Sequence, residues 1–245
     1  ISLQYSDNTK KWSMDSVEET LGEQFKNLTI APMYGLINKL KLDEKYKVFE
    51  SVNTPYLMKV TKNSEDDVPM PVEEEGIDFR KPLNKPIDAY VTGMATNYED
   101  AKTELLKHNI KDGSKDINLK DMKVGETRKY LLFHNETRGF IGDVIECGFD
   151  KFGVKGNNHI YSKAAQQLGE MLFRNKGNFP ITTLFSQGNI QYYAALNYLE
   201  DKYGEGVLED IIGTKEYNSY GSPLKRNDFI NFLQSRRIKA TVNSK

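Results

Sequence analysis

Ser186 stands between an apolar run, Ile181-Thr182-Thr183-Leu184-Phe185, and a helical pattern that begins at Gly188. A serine at a sharp strand-to-helix turn projects its Oγ above the carboxyl ends of the strands, where it can attack a carbonyl carbon. A small residue two positions later lets strand and helix pack closely, and Gly188 supplies it. The helix that follows aims backbone N–H groups at the site, where they favour charge developing on an oxyanion. The pattern is an incomplete G-x-S-x-G, because Leu184 holds the leading glycine position. A plain turn in which Ser186 caps the helix is the competing reading.

A serine nucleophile needs a base, commonly a histidine oriented by a carboxylate. The histidines are His108, His134 and His159, and all precede Ser186. At such an elbow the usual chain order is Ser, then Asp or Glu, then His, so that order is incomplete here. Three explanations compete. The base lies beyond Lys245 in a longer parent chain, an upstream histidine serves, or the domain is catalytically inactive and retained for binding. Of the upstream histidines His134 is favoured, because it ends an apolar strand whose carboxyl edge is expected near Ser186. His108 and His159 read as helix-end or loop residues. Asp228 and Asp210 are the candidate orienting acids, each competing with a reading as a surface residue or helix cap. The expected oxyanion donors are the backbone N–H of Gln187 and one from the His134-Asn135-Glu136 turn.

The elements that would position these groups alternate from Ile87 onward. Periodicity predicts strands over 87–91, 128–134 and 180–185, a strand or its approach over 207–212, and a short strand and turn over 217–223. It predicts helices over 98–108, 139–152, 162–175 (with Ser162 as N-cap), 188–203 and 228–236. Strands alternating with helices imply a mostly parallel sheet covered on both faces. Residues 1–60 mix short helical and strand-like patterns and read as an irregular N-terminal extension. Residues 61–86, rich in Glu, Asp, Lys and Pro, read as a linker or surface excursion. Residues 87–245 read as the principal domain, and the opening Ile1 and the Asn243-Ser244-Lys245 end suggest a C-terminally incomplete fragment.

The 245 residues are 38% apolar and 28% charged with a net charge of −1, which argues against binding nucleic acid through phosphate neutralisation. Cys147 is the single cysteine, so an internal disulfide and a multi-thiolate metal site are excluded. No apolar run is long enough for a membrane span. No phosphate-binding glycine loop is present, and neither a cofactor nor a metal is expected.

The segment LFSQGNIQYYAALNYL, residues 184–199, resembles the "HSQGT" elbow of lipase-like α/β-hydrolase domains near the C-termini of large bacterial secreted proteins, including filamentous-haemagglutinin-like and polymorphic toxin proteins. Tyr90-Val91-Thr92-Gly93-Met94 with Asn97 and Asp100-Ala101, His134 to Phe140 with Asp143, Glu146 and Asp150-Lys151, and Tyr220-Gly221-Ser222-Pro223 are similar to three further motifs of that family, in the same order. Glu136 replaces the family's proline, and Leu184 and Phe185 replace its glycine and histidine. The resemblance implies an α/β-hydrolase-like fold and a serine esterase or lipase acting on a lipid or other ester, with phospholipids included. It implies the effector end of a secreted or cell-surface bacterial protein, delivered into a target cell, and is compatible with an immunity protein and with contact at a membrane surface. The alternative is an inactive hydrolase-fold module for binding or delivery. An adhesin passenger segment is weaker still, because no solenoid repeat is present.

Overall fold

The computed structural model describes residues 5–6, 11–12, 53–66, 69–93, 96–111, 122–135, 161–222 and 224–244. Two short strands, β1 (Tyr5–Ser6) and β2 (Lys11–Trp12), pair antiparallel. The other strands are β3 (Asn53–Thr61), β4 (Pro71–Glu73), β5 (Asp88–Val91), β6 (Thr127–Asn135), β7 (Ile181–Phe185), β8 (Glu216–Tyr220) and β9 (Thr241–Ser244). They form one seven-stranded sheet in the order β4-β3-β6-β5-β7-β8-β9. The run β6-β5-β7-β8-β9 is parallel, while β3 lies antiparallel to both β6 and β4. This is an α/β architecture with a mostly parallel sheet.

Five helices are described: α1 (Tyr98–Lys111), α2 (Lys163–Arg174), α3 (Gly188–Tyr203), α4 (Val207–Ile211) and α5 (Arg226–Ser235). Alternation along β6 sends Leu131 and Phe133 into one core and Tyr130 and Leu132 into the other. Both sets are buried, which is why the strand reads as a nearly unbroken apolar run. Helices α2 to α5 cover the Leu131 face through Leu168, Leu196, Leu208 and Phe229, and α1 covers the other through Ala101, Leu105 and Leu106. The N-terminus of α2 is capped as its sequence predicts, with Ser162 Oγ accepting from Ala165 N–H at 3.0 Å.

Three expectations are corrected. The residues assigned to an N-terminal extension and a linker contribute β3 and β4 to the same sheet, and β3 is in register with β6 from Asn53↔Asn135 to Thr61↔Thr127. Phe79, Leu83 and Ile87 then pack on the larger core. The strand was hidden because its polar positions, Asn53, Thr54, Lys59 and Thr61, dilute the apolar signal. Residues 207–212, expected as a strand or its approach, instead contain the short helix α4, with Asp210 exposed on it. The last helix begins at Arg226 and not at Asp228. The helix expected over 139–152, with Cys147, lies outside the described residues.

Removing β3 would leave one whole edge of β6 without backbone partners. A fragment starting at Ile87 is therefore expected to lose the cooperative thermal transition of the full chain, as followed by circular dichroism. A second prediction concerns Asp88, at the start of β5, whose carboxyl is pushed up to about 6, chiefly by burial. Its value in the unfolded chain is roughly 3.9, so between these limits the native state holds more protons and stability falls as pH rises. Asp88→Asn should stabilise the protein at pH 7 by up to ~3 kcal/mol. The gap from wild type in urea unfolding should shrink towards pH 4.

Candidate active site

Ser186 has φ +50°, in the left-handed region that costs a residue with a Cβ roughly 1–2 kcal/mol. Among the described residues only Arg237 shares this among non-glycines. The strain has a local cause. β7 ends at Phe185 and α3 starts at Gly188, so the chain reverses from strand to helix within Ser186 and Gln187. The following helix is pressed onto β5: a Cβ on Gly188 would stand 2.6 Å from Val91 O and 2.7 Å from Thr92 O. A Cβ on Gly93 would lie 2.7 Å from Ser186 Cβ. Gly188 is required by close approach of backbone, and Gly93 by close approach of the Ser186 side chain and Phe185 O. Ser186 is partly exposed.

Hydrogen bonds from the neighbouring strand hold the turn. Ser186 N–H donates to Tyr220 O at 2.8 Å, the carbonyl at the end of β8. The buried Asn189 carboxamide donates to Ser186 O at 3.0 Å, to Leu184 O at 3.3 Å and to Tyr220 O at 3.4 Å. Ser219 Oγ donates to Asn189 Oδ1 at 2.6 Å. Sequence reasoning missed Asn189 and Ser219. Asn189 could have been noticed as a carboxamide in the first turn after the serine, whereas Ser219 enters only through the β7–β8 register, Leu184↔Ser219.

The expected catalytic partners are distributed differently. His134 is buried, and its ring neighbours are Tyr56 at 6.4 Å and Tyr98 at 6.0 Å between centroids. It lies on β6, which β5 separates from β7, a displacement of roughly 10 Å at ordinary strand spacing. Asn135 ends β6 on that same remote strand, and Glu136 lies outside the described residues, as does His159. The segment described against Ser186 is the turn after β5, at Gly93. β5 stands between β6 and β7, so the strand adjoining the elbow on that side is β5 and not β6. Asp228 is exposed in the first turn of α5, where a carboxylate favours the helix terminus. The structure does not bring His134, Asp228 and Ser186 together. Gln187 is buried and occupies the position before α3, so its backbone borders the elbow.

Among the described histidines, the one that reaches the neighbourhood is His108. Helix α1 starts over β6, with Tyr98 beside His134, and ends over β7 and β8. There the His108 ring lies 4.7 Å from Phe185 and 4.3 Å from Tyr220. Its nitrogens face elsewhere: Nδ1 is 2.6 Å from Tyr90 Oη and Nε2 is 3.5 Å from Glu104 Oε2. Burial raises the Tyr90 phenol, so it stays neutral and can donate to Nδ1, leaving the ring proton on Nε2 towards Glu104. Tyr220 Oη donates in turn to His108 O at 3.3 Å. His108 thus buttresses the aromatic wall under the elbow.

Comparison with known proteins finds no match to this chain among protein-family models, curated proteins or solved structures. Among the described residues no cluster of three or more His, Cys, Asp or Glu could hold a metal ion, and no helix is long and apolar enough to cross a membrane. The strain at Ser186 gives a direct prediction. Ser186→Gly is expected to be more stable than Ser186→Ala by about 1 kcal/mol, since only glycine adopts the positive φ without a Cβ clash. Chemical unfolding of the two variants side by side checks it.

Proposed function

We propose that the chain is a serine esterase or lipase-like hydrolase in which Ser186 is the nucleophile. The observation that carries the reading is the positive φ of Ser186 between a buried parallel strand and a helix, with Gly188 giving way to the backbone of β5 and Gly93 to Ser186 itself. A serine in the left-handed region at a sharp turn from a buried strand into a helix is the geometry of a nucleophile elbow. The antiparallel β3–β4 edge beside a parallel run with α3 packed behind it supports the finer reading of the sheet as α/β-hydrolase-like.

In this reaction Ser186 Oγ attacks the ester carbonyl, the alcohol leaves with a proton, and water releases the acyl group from Ser186. The Gln187 backbone N–H is one oxyanion donor, and the turn after β5, beside Gly93, is the source of the second. A lipid ester, with phospholipids included, is the substrate class that the motif resemblance suggests. The same resemblance suggests a secreted or cell-surface bacterial effector, for which an immunity protein would be the partner.

A second reading, a hydrolase-fold module without activity, is favoured by one specific observation. His108 has both nitrogens engaged with Tyr90 and Glu104, and His134 sits across β5 from the elbow. The two readings separate on a fluorophosphonate probe, which labels only an activated serine. Labelling of wild type that disappears in Ser186→Ala is the expected result. Folded wild-type protein that does not label would transfer the case to the inactive module. Labelling that survives in His134→Gln would exclude that residue as the base.

A further inference from the structure

We propose that Asn189 is the positioning residue of Ser186, a clamp that holds the elbow in its strained conformation; this rests on the reading of Ser186 as a nucleophile. At the end of β7 the parallel ladder stops, and the carbonyls of Leu184, Ser186 and Tyr220 converge on the Asn189 carboxamide in a part-buried region. The Asn189 carboxamide donates towards all three, closest to Ser186 O at 3.0 Å. It is aimed by Ser219, whose hydroxyl donates to Oδ1 at 2.6 Å, and Asn189 is itself 4% exposed.

The geometry explains the choice of side chain. The site needs an N–H donor to satisfy buried carbonyls and an acceptor to receive the Ser219 hydroxyl, and a carboxamide provides both in one planar group. A carboxylate has the same shape but presents acceptors to acceptors. An apolar side chain would remove this donor, leaving Ser186 O with the Asn189 backbone N–H at 3.2 Å and Tyr220 O with the Ser186 N–H at 2.8 Å. Because the first turn of α3 carries Asn189 while β8 carries Ser219 and Tyr220, the clamp joins helix, turn and neighbouring strand. The α3–β5 contact imposes the turn, and the Ser186 N–H bond to Tyr220 O anchors one side of it. Without the Asn189 side chain the Ser186 carbonyl side is held less firmly, and Oγ departs more often from its direction above the strand ends.

Two measurements on the full chain test this. Asn189→Asp should slow labelling of Ser186 by a fluorophosphonate at least tenfold in the maximal inactivation rate, with little change in the probe concentration for half-maximal rate. The deficit should narrow as pH falls, because a protonated carboxyl regains one donor. Leu208→Ala, which opens a cavity in the core away from the elbow, should lower the melting temperature yet leave the rate within twofold. Labelling in Asn189→Asp equal to wild type would overturn the clamp. The second measurement needs no activity. Ser186→Gly should raise the melting temperature by about 2–4 °C in wild type, the size expected for relief of ~1 kcal/mol of strain, and by nothing in the Asn189→Asp background. Equal increments in both backgrounds would overturn the clamp alone. Failure of folded wild type to label would instead remove the nucleophile, and the positioning role with it.

Discussion

The organising constraint is the contact between the start of α3 and the end of β5, where no atom larger than a glycine hydrogen fits against Val91 O and Thr92 O. The chain can reach that contact only by turning from strand to helix within two residues, and the left-handed φ of Ser186 is the result. Once α3 lies there, Tyr192, Ala195, Leu196 and Leu199 enter the larger core and α2 packs beside it. The strain at one residue is thus balanced by burial of a whole helix face, at roughly 25 cal/mol per Å² of apolar surface. A strained serine maintained in this way is preorganised, since the surrounding packing sets its direction before any substrate arrives.

Polar groups at the elbow follow from the same constraint. Strand ends leave carbonyls that the ladder no longer serves, and buried carbonyls require donors. Asn189 and the Ser186 N–H supply them between β7, α3 and β8. On the opposite face, the aromatic wall of Phe185, Tyr220 and His108, with Tyr90 beneath, fills the space between α1 and the strand ends. The deeper hydroxyl pairs show the same logic inside the core: Tyr192 of α3 meets Tyr217 of β8, and Thr182 of β7 meets Thr214 in the approach to β8.

Much of this was legible locally. β5, β6 and β7 are short apolar runs, α2 carries its own cap at Ser162, and Gly188 announces a tight strand-to-helix turn. The failures share a cause. β3 reads as polar because it lies towards the sheet edge, with only β4's three residues beyond it, so its apolar positions are diluted by Lys59 and the threonines. The segment 207–212 carries the apolar composition of a strand but is too short for periodicity to separate it from one turn of helix.

Residue identity and short-range spacing alone determined that a serine would stand at a strand–helix turn, that a glycine would follow it by two, and that strands and helices would alternate around it. These depend on backbone preferences and period within about a dozen residues. Only the tertiary structure decided which strand borders the elbow. The order β6-β5-β7 brings Gly93 to Ser186 and leaves His134 one strand further away, while α1 carries His108 across the sheet to Tyr220. The Asn189–Ser219 pair likewise exists only through β7–β8 register. Strand order and register are set by burial of both sheet faces at once, a global condition that no local window of sequence contains.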